Sequence, residues 1–414
     1  GRALLESRFT WDRCAERLNA MEASVRRLEP GSARRVRLAW ISSWNTKCGI
    51  ATYSSFLVGS LDSAWFDVRI LASRDPAVVI EDGPEVTRCW TDQRGRIDDL
   101  LEELDRCRPD AIMLQHNFGF FSMPSTARIV EYANAHDIPI VITFHSTKDV
   151  DTPDYQASLS EITEVLRGAD RLLVHSVDDL NRLRILGLVD NAALFPHGVH
   201  ARESSDRLAC RAALNIPADA PIIATYGFLL PHKGLEEIIE AFSMMSKELP
   251  HARLLMVNAL YPVRDSELTA DRCRNLIKTL DLEDRVQMIT DFLPDRESFA
   301  YLDAADLIVF AYQDTAESAS GAVRYGLAAN RPVACTPIPI FDDLGELVHR
   351  FSGTDARAIS ADLATLLGDS ALLRSKADAQ AAWIHARSWD EMSSRLGGIV
   401  RGLVGERSSV SRGG

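Results

Sequence analysis

The stretch VRLAWISSWNTKCGIATYSSFLVGSL, residues 36–61, decides the fold. Its opening run, VRLAWIS (36–42), is nearly continuous in apolar residues and has the length of a strand covered on both faces. A polar loop carrying Gly49 follows. GIATYSSFLVGSL then continues with helical periodicity. Strand, loop and helix in that order form the repeating unit of a parallel sheet. The unit recurs along the chain. FDVRILA, AIMLQH (111–116), PIVITFH (139–145) and RLLVHS (171–176) are the next expected strands. A second series opens with PIIATYGF (221–228) and the helix LEEIIEAFSMMSKEL. The strands ARLLMVNA, RVQMIT, DLIVFAY and RPVACT follow, with the helices SELTADRCRNLIKTL and SGAVRYGLAA among them. The chain reads as α/β, with two Rossmann-like doubly wound domains.

The polar, turn-rich link GVHARESSDR separates the two series. The expected divisions are a first domain at 31–205, a second at 206–387, a helix at 388–405 that returns to the first domain, and a disordered polar tail at 406–414. FTWDRCAERLNAMEASVRRL near the start echoes SWDEMSSRLGGIVRGL (388–403). Residues 1–30 therefore read as a helix belonging to, or linking, a preceding domain. With no initiator Met, the chain looks cut from a longer one, and fusion to other domains is expected.

The 414 residues carry 46 Lys+Arg against 59 Asp+Glu, a net charge of −13, which disfavours nucleic-acid binding because phosphate neutralisation needs a basic face. The seven cysteines are odd in number and form no CxxC pair, which suits a reducing, cytoplasmic setting better than disulfides or zinc. No apolar run is long enough to cross a membrane. Arg26, Arg27, Arg34, Arg35 and Arg37 read as a solvated linker, with peripheral contact to anionic headgroups at the inner face of a membrane as the alternative.

Four constellations carry candidate chemistry. The loop SSWNTKCGIATYSSFL places Gly49 where α/β folds bind ligands, and glycine there can take a positive φ. His116, His145 and His175 each end an expected strand, the ligand edge of a parallel sheet; His145 ranks first, His116 second, and His175 reads as structural. In GFLLPHKGLEE, Lys233 and Gly234 stand before a strong helix, where a lysine can meet a phosphate. In AYQDTAESASGAVRYGLAANRPVACT (311–336), Glu317 precedes a helix entrance built from Ser318, Ser320 and Gly321, whose free amides can cradle a diphosphate while Glu317 accepts hydrogen bonds from sugar hydroxyls.

Together these pieces resemble the retaining nucleotide-sugar glycosyltransferases of family four, with the GT-B fold, over about residues 36–405. The order of the glycine loop, TFHS, LFPHGV (194–199), PHKG (231–234) and the Glu317 region followed by RPV carries the resemblance. It implies a cleft between the domains, with the nucleotide sugar held by the second and most of the acceptor by the first. Lys233 matches the lysine on the donor diphosphate and Glu317 the first of the family's paired glutamates, on the donor sugar. His145 matches the histidine beside the transferred sugar and Gly49 the loop glycine near the phosphates. Catalytic roles thus fall on Glu317 and His145. Donor binding falls on Gly49, Lys233, Gly234, Ser318, Ser320, Gly321, Arg324 and Tyr325, and the acceptor side on His116, Asn117 and Tyr53.

Two positions depart from the pattern. Phe228 stands where the family has an arginine, five residues before the lysine. Tyr325 stands where the second glutamate would meet the ribose, with Arg324 beside it as a substitute. Asp149 and Asp151 form an Asp-x-Asp pair in a loop of the acceptor domain, away from the expected diphosphate site, so no catalytic metal and no cofactor beyond the donor are expected. The reading is a retaining hexosyltransferase using a GDP- or UDP-linked hexose and a glycan or glycolipid acceptor in polysaccharide synthesis, with front-face attack implied by the resemblance. The alternatives are a catalytically weak GT-B domain serving as a binding module, which Phe228 and Tyr325 would favour, and a sugar-nucleotide epimerase.

Overall fold

The computed structural model describes residues 34–74, 78–91, 97–153, 155–315 and 317–410. The expected helix at 1–30, with its Arg26 and Arg27, lies outside them. Strands run β1 (Val36–Ser42), β2 (Phe66–Ser73), β3 (Val86–Trp90), β4 (Ala111–His116), β5 (Ile140–Phe144), β6 (Val150–Thr152), β7 (Tyr155–Ala157), β8 (Arg171–Val174) and β9 (Ala192–Leu194). The second half adds β10 (Ile222–Phe228), β11 (Arg253–Ala259), β12 (Val286–Ile289), β13 (Leu307–Phe310), β14 (Val333–Cys335) and β15 (His349–Arg350). The first sheet is ordered β3-β2-β1-β4-β5-β8-β9 and the second β12-β11-β10-β13-β14-β15. Every pairing in both is parallel; the small β6–β7 hairpin is antiparallel.

These runs form strands because both faces are covered. Ile112, Met113 and Leu114 of β4 are fully buried, as are Ile222, Ile223 and Ala224 of β10. Alternate residues of one strand feed opposite layers. In β1, Ala39 and Ile41 pack with Leu100 and Ile129, while Leu38 and Trp40 pack with Leu57, Met392 and Leu396. The helix Trp389–Val410 thus covers a face of the first sheet and lies along the helix Gly49–Gly59. It runs beyond the expected end at 405. The expectation of a disordered tail fails for residues 406–410: Arg407 reaches back to Asp137 at 2.6 Å and Asp170 at 2.9 Å, which holds the last turns on the first domain.

In each sheet the strand order reverses direction between two neighbours, β1 and β4 in the first and β10 and β13 in the second. Connections on the two sides of that point leave in opposite directions and open a crevice at the carboxyl ends of the strands. The loops after β1, β4, β10 and β13 therefore sit where ligands bind.

Two chain crossings join the domains, and they run side by side. Val199 N donates to Arg387 O at 2.9 Å and Trp389 N donates to Val199 O at 3.2 Å. Arg202 then grips the buried Asp303 with both terminal nitrogens, at 2.8 and 2.9 Å, fixing the link to the second domain. Arg34 and Arg37, from the basic segment, both pair with Asp110 and pin the start of β1.

Gly198 is required at this crossing. A Cβ there would stand 2.2 Å from the Trp389 ring. Trp389 is boxed in by Tyr53, Phe56 and His197, so it cannot swing aside freely. Gly198→Ala is expected to lower stability by about 1–3 kcal/mol, the usual cost of overpacking, read as a reduced melting temperature; a melt indistinguishable from wild type would show the crossing to be loosely packed.

Candidate active site

The donor-side residues come from loops after β10 and β13. After β10 the chain makes a tight turn, Pro231–Lys233, and enters the helix Leu235–Met245 through Gly234. Gly234 has φ +66, and a Cβ on it would lie 1.7 Å from the Ala311 carbonyl oxygen just past β13. Only glycine allows this approach of the two loops. The approach sets Lys233 against the Glu317 loop.

Lys233 is nearly buried. Its Nζ lies 2.9 Å from Glu317 Oε2 and 3.2 Å from Oε1, and 4.1 Å from the centre of the Tyr312 ring. Burial pushes the ammonium's pKa down, but Glu317 and Tyr312 outweigh it and raise it on balance. His232 Nε2 also reaches Glu317 Oε1, at 3.2 Å. For Glu317, desolvation acts upward, and the lysine and histidine together bring the carboxyl down to about 2. Lys233 is thus cationic and Glu317 anionic across the physiological range.

The helix Gly321–Ala328 starts beside this pair. Ser320 caps it, accepting from Val323 N at 3.3 Å and bonding the Tyr312 hydroxyl at 3.0 Å. The first-turn amides of Gly321 and Ala322 have no intrahelical acceptor, as at any helix start. Ser318 differs from the expected cradle. Its amide donates across the cleft to His145 O at 3.2 Å, while its hydroxyl is buried without a partner among the described residues. That bond places His145 of the first domain directly opposite the Glu317 loop. The cleft continues past Lys148, Ser176 and Arg182, and Lys148 approaches Asp314 of the second domain at 3.6 Å.

His145 is held by Gln115, whose Oε1 accepts from its Nε2 at 2.8 Å. Burial, then the neighbouring His175 and His116, drives its pKa well below the ordinary value, so the ring is neutral. Tyr53 stands at the centre of an aromatic group, with His145, His175, His197 and Trp389 at 5.0, 5.2, 5.1 and 5.5 Å. Residues of both chain crossings meet there. His175 Nδ1–H donates to Phe195 O at 2.9 Å, a structural contact.

Several expected site residues stand elsewhere. Arg324 is not a spare cation for the ribose. It is 2% exposed, ion-paired with Asp343 and bonded to Ser320 O at 2.9 Å. Tyr325 does not present its hydroxyl to a ribose either: it donates to Asp295 at 2.8 Å, and its ring is stacked between Tyr226 and Phe299. Gly49 has no left-handed backbone. It opens a helix with free space beside it, and the left-handed residue of the loop is Asn45, φ 54. His116 is fully buried between Phe118 and Phe144, and burial lowers its pKa to about 3. Its carbonyl oxygen, not its ring, serves the site, by accepting from His145 N at 3.0 Å. Tyr53 is likewise 2% exposed, and Asn117 accepts from Gly119 N through its Oδ1 at 2.8 Å. The buried rings of His116 and Tyr53 are thus closed to an acceptor, while Asn117 is only half-buried. Phe228 packs against Tyr261 at 5.0 Å and parallel to Phe292 at 5.9 Å, so it supplies no charge. Asp149 is exposed and Asp151 bonds Gln156 within the β6–β7 hairpin. Sequence reasoning passed over His232 and Gln115. The doublet of histidine and lysine ahead of Gly234 was the available signal for the first; nothing in the sequence pointed to the second.

Residues 206–381 match the family described as Glycosyl transferases group 1. A D-inositol 3-phosphate glycosyltransferase of Kineococcus radiotolerans is 27% identical over 50% of this chain and 49% of its own length. Its namesake in Mycolicibacterium paratuberculosis is 28% identical over 67% of this chain and 64% of its own. The matched part thus spans about half to just under two thirds of these relatives. Among solved structures, a sucrose-phosphate synthase from Thermosynechococcus elongatus superposes with a TM-score of 0.72 at 20% identity, covering 90% of this chain and all of that one. Anabaena HepE in complex with UDP gives 0.68 at 14%, covering 87% and 98%.

The Lys233–Glu317 pair predicts an acid limb in stability. Glu317's carboxyl is lower in the folded chain than its ordinary 4.5, so the pair's stabilisation is complete above that pH and is lost as pH falls towards about 2. Glu317→Gln should flatten this part of the urea-unfolding profile between pH 4.5 and 2; an unchanged slope would mean that the pair adds nothing. The fold, the order of the site loops and the match over the second domain agree: residues 206–381 match the group 1 glycosyltransferases, and the two-domain architecture around them is GT-B.

Proposed function

We propose that this chain transfers a hexose from a nucleoside-diphosphate donor to a hydroxyl of a glycan or glycolipid acceptor, with retention of anomeric configuration. The observation that carries the reading is the convergence of Lys233, Glu317 and the start of the helix Gly321–Ala328 on one point of the cleft, with His145 opposite. A glycosyl–phosphate bond breaks with positive charge growing at the anomeric carbon and negative charge on the departing diphosphate. Lys233 and the helix amides meet the negative charge, and the Glu317 carboxylate, once on the sugar, favours the positive one. His145, neutral and with its Nε2–H held by Gln115, leaves Nδ1 to accept a hydrogen bond from a sugar hydroxyl without competing charge.

What the relatives' names print supports the choice of reaction class. The curated ones are named for glycosyl transfer to D-inositol 3-phosphate, and HepE was solved with UDP-glucose. On this basis UDP- or GDP-linked hexoses are the donors to test, with phosphorylated polyols added to the glycan and glycolipid acceptors. The path uses no metal, because charge on the leaving group is met by Lys233 and backbone amides.

Three measurements test the reading. Product configuration, read by NMR, should match that of the donor; inversion would refute retention. Activity should survive EDTA; abolition with rescue by Mn²⁺ would bring Asp149 and Asp151 back into consideration. Lys233→Ala should cut turnover by about 2–4 kcal/mol in the transition state, and Glu317→Gln should lower kcat more than it raises KM. Wild-type kinetics in both variants would remove the site and favour a binding module.

A further inference from the structure

Resting on that reading, we propose that His232 is a second donor to the leaving diphosphate, taking the place of the cation that Phe228 does not supply. At one point of the cleft two donors from successive residues converge on a single oxygen. His232 Nε2 and Lys233 Nζ each lie 3.2 Å from Glu317 Oε1. Two donors fixed on one oxygen define an anion site, and in the ligand-free chain the Glu317 carboxylate fills it. A diphosphate carries more charge than a carboxylate and presents more acceptor oxygens, so it displaces Glu317 from both donors. The freed carboxylate then turns to the sugar.

The local chain geometry keeps His232 in position for this. Its carbonyl oxygen accepts from Gln313 N at 2.8 Å, tying the Pro231–Lys233 turn to the loop after β13. Its ring stands edge-on to Tyr312 at 6.2 Å, and the side chain remains partly exposed to the cleft. Phe228, five residues earlier, is turned into an aromatic group with Tyr261 and Phe292 and cannot serve. Arg324 is committed to Asp343. Beside Lys233, His232 is therefore the side chain placed to donate to the same oxygen.

In the reaction, the bond from the anomeric carbon to the diphosphate oxygen breaks and its electron pair passes to that oxygen. The acceptor oxygen forms the new bond, and its proton leaves with the diphosphate. His232 keeps its own proton throughout and donates a hydrogen bond from Nε2 to the oxygen on which charge grows.

The test combines binding of UDP and GDP, by calorimetry, with donor turnover for wild type, His232→Ala, His232→Arg and Lys233→Ala. The expected result is that His232→Ala weakens binding of the preferred diphosphate by about tenfold and lowers kcat by about 10- to 100-fold, and that His232→Arg restores most of both. A histidine that only held Glu317 in place would leave diphosphate binding unchanged or tighter on removal, and arginine would not rescue it; that result overturns the proposal. Loss of binding and turnover in Lys233→Ala with a wild-type-like His232→Ala overturns it too, while leaving the glycosyltransferase reading intact. Failure of wild type itself to bind either diphosphate defeats both.

Discussion

A cation held out of water needs an anion beside it, and Lys233 is such a cation. Its ammonium is nearly buried against the Tyr312 ring, and the Glu317 carboxylate answers it. Without that partner the charge would stand in the cleft poorly solvated, at a cost that usually exceeds what its hydrogen bonds return. The pair draws together the loops after β10 and β13, the two strands that flank the reversal in the second sheet. Gly234 permits the approach by giving the Ala311 carbonyl the room that any Cβ would take. The two loops are thus joined by an ion pair made within the chain itself.

The same region ties the site to the arrangement of the domains. Ser318 N reaches His145 O across the cleft, and Glu317 is the residue just before Ser318. Tyr53, His175, His197 and Trp389 gather where the link and the returning helix cross, and His145 is part of that group. Glu317 therefore stands next to the contacts made where the link and the returning helix cross. The departures at Phe228, Arg324 and Tyr325 share one physical feature. Each side chain is packed or paired within the second domain, against Phe292, Asp343 and Asp295 respectively, and none adds a free charge to the cleft. On the proposed reading, the electrostatic work on the donor falls to the Pro231–Lys233 turn and the helix start.

The sequence disclosed what depends on periodicity and local chain chemistry. β1, β4 and β10 were legible because long apolar runs covered on both faces have no other plausible home. β3, β9 and β15 were not, since they are short edge strands: β9 has three residues, β15 two, and β3 interrupts its apolar residues with Thr87 and Arg88. Lys233, Gly234 and Glu317 were legible because each sits at a fixed step between a strand and a helix. Arg324 and Tyr325 were misplaced because their partners, Asp343 and Asp295, lie 19 and 30 residues away, and a position in a pattern does not say where its side chain finds its bond. His116 was misjudged for a related reason: ending a strand at the ligand edge does not decide whether a ring faces the cleft or the core. The last turns of the C-terminal helix looked like a polar tail, because Arg407's partners Asp137 and Asp170 belong to the distant first domain.

If Glu317 occupies the place of a donor phosphate, neutralising it should help a diphosphate in and hinder the chemistry. Calorimetric titration of UDP and GDP into wild type and Glu317→Gln measures this directly. The account predicts tighter binding of the preferred diphosphate in the variant, by several-fold, because its amide competes for Lys233 and His232 more weakly than a carboxylate does. Weaker or unchanged binding in Glu317→Gln would contradict it, and would place Glu317 outside the anion site that the donor is proposed to fill.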